Sequence, residues 1–286
     1  MAGWIAFTTH RYTPRLPRGT KIGDRILLLL PCTATKAYIH SIEHRRINPA
    51  LLDAGFTPHG LGNGDRLLSS APMVHGSGLV LHRTVISEPL GLVPYDHMLE
   101  YEGRESPAVA CDNLGLFEDR DKAVSPWRTD HSAMRVGRHQ CKWGPNEKRV
   151  YVAIHNAMAE AVAAALRRFG GRYRRRIAWV APGLTHRSFV VGRCERVGHG
   201  VVSQRPVAGE RLPLTGINDL LPPALAIECG PSRTECDAAL SRLVARLGVT
   251  PRQAAGPFGR GSGGATPRAL PELLETLVAN IMRSDP

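Results

Sequence analysis

Residues 25–31 read Arg-Ile-Leu-Leu-Leu-Leu-Pro, and this stretch decides the fold. It is a short, unbroken apolar run with Gly23-Asp24 before it and Pro31 at its end, the pattern of a strand buried on both faces. Such a strand is central in a sheet. Working outward, residues 83–87 (RTVIS) are rich in β-branched side chains and stop at Pro89 and Gly91, which predicts a second strand. Residues 176–180 (RIAWV) predict a third. Residues 41–54 are helix-compatible. Residues 151–169 are alanine-rich, with apolar side chains at helical spacing and Gly170-Gly171 as a stop. Short strands are expected at 201–203 and 224–228, an amphipathic helix at 234–247 and a final helix over Pro271–Met282. Strand, helix and strand in that order predict an α/β fold, a mixed or mostly parallel sheet flanked by helices, with a C-terminal helical extension.

The chain divides by composition into an N-terminal arm (1–24), an α/β catalytic domain (25–248), a flexible basic linker (249–268, rich in Gly, Pro, Ala and Arg) and a C-terminal helix (269–286). With 43% apolar and 22% charged residues in 286, the chain can close a sizeable core, which excludes a disordered or fibrous protein. Lys and Arg exceed Asp and Glu by 37 to 25, a formal charge of +12, and the pI is near 10.0. That excess favours a polyanion, above all nucleic acid, as partner. The longest apolar run is far below the roughly 20 residues that span a bilayer, so no membrane is expected. The N-terminus shows neither an apolar core segment nor a small-residue cleavage site, which points to the cytoplasm. Six scattered cysteines suit free thiols in a reducing compartment. Cys111, Cys141, Cys194, Cys229 and Cys236 read as packing residues. None of the spacings is that of a zinc knuckle, His139 and Cys141 forming a lone HxC, and no metal or other cofactor is called for.

Residues 31–44, PCTATKAYIHSIEH, follow the buried strand directly. In open α/β sheets ligands bind beyond the carboxyl ends of strands, so this is where a site belongs. The stretch holds a thiol (Cys32), an ammonium (Lys36), a phenol (Tyr38), a hydroxyl (Ser41) and the imidazole of His44. A cysteine beside Lys36 and His44, near a helix N-terminus, is set up as a nucleophile.

The same stretch resembles the PCxxxKPYxxSxxH signature of archaeosine synthases, with Pro31, Cys32, Lys36, Tyr38, Ser41 and His44 at its fixed positions and Ala37 where the family has proline. Residues 87–94 (SEPLGLVP) are similar to the family's SPLGLVP segment, with Glu88 inserted, and residues 107–117 (PAVACDNLGLF) are similar to a segment that would put Asp112 in the site. The resemblance covers roughly residues 25–120. It implies chemistry on the nitrile of 7-cyano-7-deazaguanine within a polynucleotide, DNA or tRNA, with water, a small amine or lysine as co-substrate and other proteins of 7-deazaguanine metabolism as neighbours. Cys32, Lys36, His44 and Asp112 would then be catalytic. Pro31, Tyr38, Ser41, Glu88, Pro89 and Gly91 would bind substrate. A chain of 286 residues has no room for both the transglycosylase-like and RNA-binding parts of the archaeal enzymes, which favours DNA over tRNA.

Residues 167–176 (RRFGGRYRRR) hold six arginines and two aromatics with no acid. Arg167, Arg168, Arg172, Arg174, Arg175 and Arg176, with Tyr173, therefore predict a phosphate-contacting patch. The rival reading is a DNA-binding or stress-response module on a glycosylase-like scaffold without nitrile chemistry. Burial of Cys32 in the core would favour that rival; convergence of Cys32, Lys36, His44 and Asp112 in one pocket would favour the enzyme.

Overall fold

The computed structural model describes residues 14–33, 35–60, 68, 70–87, 90–110, 132–137, 140–258 and 267–283. In chain order the elements are β1 (Arg25–Pro31), α1 (Ile42–Asp53), β2 (Phe56–Pro58), β3 (Met73–His75), β4 (Val80–Ser87) and β5 (Gly91–Pro94). A small hairpin follows (β6, Glu100–Tyr101; β7, Arg104–Glu105), then α2 (Pro107–Ala110), the hairpin of β8 (Met134–Gly137) and β9 (Gln140–Lys142), and the long α3 (Pro145–Phe169). After these come β10 (Arg175–Trp179), α4 (Thr185–Val190), the hairpin of β11 (Gln204–Val207) and β12 (Glu210–Pro213), and α5 (Ile217–Leu220). The chain ends with β13 (Glu228–Gly230), α6 (Arg233–Leu247), α7 (Pro251–Ala255) and α8 (Pro271–Met282).

Among the described residues the main sheet has seven strands in the order β13-β10-β1-β4-β3-β2, with β5 also on β4. The four strands β13, β10, β1 and β4 run parallel, and β2, β3 and β5 add antiparallel pairings. The sheet is mixed and mostly parallel, with β1 inside it as its apolar run requires.

Alternation along β1 divides the core. Ile26, Leu28 and Leu30 face a cluster with α1, α6 and α8, including Ile47, Leu51, Leu243 and Leu277. Leu27 and Leu29 face a second cluster built on α3, with Val162, Leu166 and Phe169. All five β1 side chains are completely buried. At about 25 cal/mol per Å² of apolar surface, each contributes roughly 2 kcal/mol relative to an exposed position.

Several boundaries differ from expectation. The strand expected at 201–203 begins at Gln204 instead, and 224–228 contains a 3-10 turn (Pro223–Leu225) before β13. The long helix starts earlier, at Pro145, a favoured residue for a first helical turn. Within 249–268, expected as a flexible linker, α7 is capped by Thr250, Ala254 is fully buried and Arg268 is 6% exposed. Residues 259–266 lie outside the described set. Beyond the segment, α8 packs Leu273, Leu274, Leu277 and Ile281 into the core. No helix among the described residues is long and apolar enough to cross a membrane.

Candidate active site

From β1 the chain reaches β4 through α1 on one face of the sheet and later reaches β10 through α3 on the other. The carboxyl end of β1 is therefore a topological switch point, the place where open α/β sheets generally bind ligands. Cys32 is the first residue past that end, its N–H extending the ladder to the carbonyl of Ile86 at 3.0 Å.

The thiol's partner comes from elsewhere in the chain. Cys32 Sγ lies 3.1 Å from Nε2 of His186, in the first turn of α4 and 154 residues away. Burial, followed by the positive charges of Arg268 and Lys36, pushes the His186 pKa down to about 3, so the ring is neutral. Its helix is fixed by its neighbours. Arg187 donates from Nε and Nη2 to the carbonyl of Val180, just past β10, and from Nη2 to that of Pro231. Ser188 is held by His155 Nε2 at 2.8 Å, and its carbonyl accepts from Arg196 Nη2 at 2.9 Å. His155 is fully buried with its pKa pushed down to about 4, chiefly by burial, which makes it a supporting core residue.

His44 was expected beside the thiol as an acid or base, and the structure corrects this. Its Nε2–H donates to the carbonyl of Pro31 at 3.1 Å, which leaves Nδ1 to accept from the Tyr95 hydroxyl. Complete burial pushes its pKa down to about 3. The reason is local: Ser41 caps α1, accepting from the His44 N–H, and this turns the ring back beneath β1. His44 thus acts as a positioning residue that fixes the carbonyl preceding Cys32. Behind it the Arg83 guanidinium lies 4.4 Å from the Tyr95 ring centre and donates to Asn48 and to the carbonyls of Leu68 and Ala71.

Lys36 lies close to the thiol loop: Nζ donates to the carbonyl of Thr33 at 2.8 Å and sits 4.4 Å above the Tyr38 ring. The Lys36–Ala37 peptide is cis. Tyr38 is fully buried, its hydroxyl 2.7 Å from Ser87 Oγ at the end of β4. Pro31, Tyr38 and Ser41 are thus each tied by a hydrogen bond into the fold around the end of β1. Gly91 opens β5 at φ +73°, a conformation that favours glycine. Glu88, Pro89 and Asp112 lie outside the described residues, as do His139 and Cys111.

Two residues of the candidate site were not read from the sequence. His186 is one. The other is Arg268, buried, 3.9 Å from Glu43, and felt electrostatically by both His44 and His186. The signal for His186 was available, since the carboxyl-end rule applied to residues 176–180 points to the loop and helix that follow.

The expected arginine patch is corrected in part. Arg175 is buried and makes a two-pronged bond to Glu228 at 2.8 and 2.7 Å, with further bonds to the carbonyls of Asn280 and Arg283. Arg176 is buried on the carbonyls of Gly170, Tyr173, Ala224 and Ala226. Tyr173 is buried, with its hydroxyl 2.7 Å from His82 Nδ1. These three side chains are spent inside the fold. Arg167, Arg168 and Arg172 are exposed, and Arg174 is half-buried. The stretch also lies at the wrong edge: Arg175 pairs with Ile26, six residues before Cys32, about 20 Å along the strand.

Cys229 and Cys236 are packing residues whose thiols burial pushes up to about 11. Cys194 is exposed, contrary to expectation. No family model, curated protein or solved structure matches the chain.

Proposed function

We propose that the chain is an enzyme that converts the nitrile of 7-cyano-7-deazaguanine in a polynucleotide, DNA before tRNA, to an amide or amidine in the cytoplasm. The observation that carries this reading is the 3.1 Å approach of Cys32 Sγ to His186 at the switch point of the sheet. It is supported by the PCxxxKPYxxSxxH resemblance. A nitrile carbon is a modest electrophile and needs a strong nucleophile together with a proton for its nitrogen.

Lys36 and Arg268 supply positive charge that favours a sulfur anion. His186, neutral at rest, takes the thiol proton as sulfur attacks the nitrile carbon. The S–C bond forms, one C–N π bond opens, and the proton passes to nitrogen, giving a thioimidate. Water adding to that carbon expels the thiol and leaves the carboxamide; an amine in its place leaves the amidine. Either way Cys32 regains its proton. Because His44 is occupied by Pro31 and Tyr95, the acid–base role assigned to it passes to His186.

One observation favours the rival binding module: Cys32 is only 7% exposed. The test separates the two. DNA and tRNA containing the cyano base are incubated with the protein and with Cys32→Ala, and their nucleosides are analysed by mass spectrometry. Conversion by the wild type alone supports the enzyme; an untouched nitrile in both polymers leaves the binding module.

A further inference from the structure

Trp179 closes β10 and carries a buried donor that the fold leaves unused. Its side chain is completely buried, and among the described residues its indole Nε1–H meets no hydrogen-bond acceptor. An unmet buried donor lowers stability, so its presence calls for a reason.

Its position supplies one. In the parallel register of β1 and β10, Leu28 pairs with Ile177 and Leu29 with Ala178, which sets Trp179 beside Leu30. Leu30, Cys32, Ile177 and Trp179 belong to one core cluster and hence to one face of the sheet. Cys32, still on the β1 ladder, is two residues beyond Leu30, so strand spacing puts its Cα about 8 Å from that of Trp179. The direction of the ring is also fixed. A Cβ at Gly230 on β13 would lie 3.0 and 3.1 Å from Trp179 Cζ3 and Cε3, with no other ring atom within 4 Å, so the six-membered ring meets Gly230 edge-on. In an indole, Nε1 lies on the side opposite that edge. Since β13 and β1 flank β10, the unmet N–H is turned toward β1, the strand that leads into the thiol. Further along the same connection, His186 approaches Cys32 Sγ at 3.1 Å.

The surroundings restrict what can reach this donor. Cys32 is only 7% exposed, so an entering group must be narrow. It must accept a hydrogen bond, because an indole N–H can only donate. Lys36 and Arg268, both felt electrostatically by His186, repel a cation. A nitrile meets all three conditions, being linear, one atom wide and tipped by a lone pair along its axis. The aminomethyl group that reduction of the same nitrile would give is a donor and a cation, and fails the last two.

We infer that Trp179 Nε1–H receives the nitrile nitrogen, selecting cyano over aminomethyl substituents and stabilising the negative charge that builds on nitrogen as Cys32 attacks. The indole gives up no proton: the one that nitrogen gains is still the proton that His186 takes from the thiol. A donor set in advance where charge develops, in a site shut off from water, stabilises more than the same bond in solution. The inference deepens the proposed function and rests on it for the nitrile, and its test lets the two fail separately.

Full-length Cys32→Ser protein, isotopically labelled on its tryptophan indole nitrogens, is titrated by NMR with short DNA and RNA oligonucleotides carrying 7-cyano-7-deazaguanine or its 7-aminomethyl counterpart. The Trp179 signal is assigned by replacing each of the four tryptophans with phenylalanine in turn, which identifies it even if Trp179→Phe does not fold. Its indole proton should move downfield with the cyano oligonucleotide and stay in place with the aminomethyl one. In turnover on the cyano oligonucleotide, Trp179→Phe, folded by thermal melt, should lower kcat by about 10²-fold while KM changes less than about threefold. A Trp179 signal that ignores the cyano base, an equal shift with both bases, or unchanged kcat in folded Trp179→Phe would overturn the donor. A cyano-specific shift without conversion by the wild type would overturn the thiol chemistry and leave the donor standing; conversion with a silent indole would do the reverse.

Discussion

The two edges of the sheet draw on similar side chains and put them to opposite uses. At the amino edge, Arg175 and Arg176 lie flat within the fold, saturated by Glu228 and by backbone carbonyls, so their charge ties β10 to β13 and to the end of α8. At the carboxyl edge, Cys32, Lys36, His186 and Arg268 come from three separate segments and meet where the two windings of the chain part. A run of arginines in sequence is thus less informative about binding than a few unlike groups gathered by topology.

The largest expected effect is at the carboxyl edge. Cys32→Ser should lower nitrile conversion by about 10⁴-fold, read by nucleoside mass spectrometry, because the covalent step loses its nucleophile. His186→Gln should cost about 10²–10³-fold in kcat with unchanged thermal stability to within a few degrees, since it removes proton transfer alone. Equal rates in either variant would erase the distinction between the edges.

At the amino edge the effect should fall on stability. Arg175→Ala is expected to cost about 2 kcal/mol in urea unfolding, because a buried guanidinium's ion pair with partly exposed Glu228 and two carbonyl bonds are lost, with turnover per folded molecule unchanged. The half-exposed position of Glu228 lets water relieve its lost partner and keeps the figure from being larger.

Acid should weaken the whole fold. His44, His186, His82 and His155 are held neutral by burial, with pKa values pushed down to about 3, 3, 4 and 4. In the unfolded chain each binds a proton below about 6.5 and in the folded chain it does not, so their stabilisation is complete above pH 6.5. It declines as pH falls from 6.5 toward 4, by about 1.4 kcal/mol per pH unit for each ring. Urea unfolding between pH 7 and 4 measures the slope, and a flat profile would contradict the neutral assignments. The smallest effect is expected from Arg167→Ala/Arg168→Ala/Arg172→Ala, which should change duplex affinity by less than about threefold. A larger loss would return the phosphate contacts to the amino edge.

The fold was legible where burial leaves a one-dimensional trace. The run 26–30 revealed β1 because both faces of that strand are covered, and the final helix matches Pro271–Met282 because its apolar stripe packs on the core. Cys32 was legible because the carboxyl-end rule needs only a strand and the residue after it. For His186 the same rule applied to residues 176–180 points only to the loop and helix that follow, and nothing in one dimension pairs it with Cys32 across 154 positions. His44 was read as an acid or base because it lies near Cys32, and it does reach the carbonyl next to that residue, but Pro31 and Tyr95 occupy both of its ring nitrogens. Arg175 and Arg176 were misread because charge alone does not show that a strand is buried on both faces. Arg268 was hidden in a composition that reads as linker, and it is buried just before α8, which packs on the core.

The most direct test is to incubate the protein with an oligonucleotide carrying 7-cyano-7-deazaguanine, quench in acid, and locate any adduct by intact mass and peptide mapping. The account predicts a thioimidate on Cys32 that forms with wild-type protein and is absent with Cys32→Ser. Recovery of the cyano nucleoside unchanged, with Cys32 unmodified throughout, would contradict it.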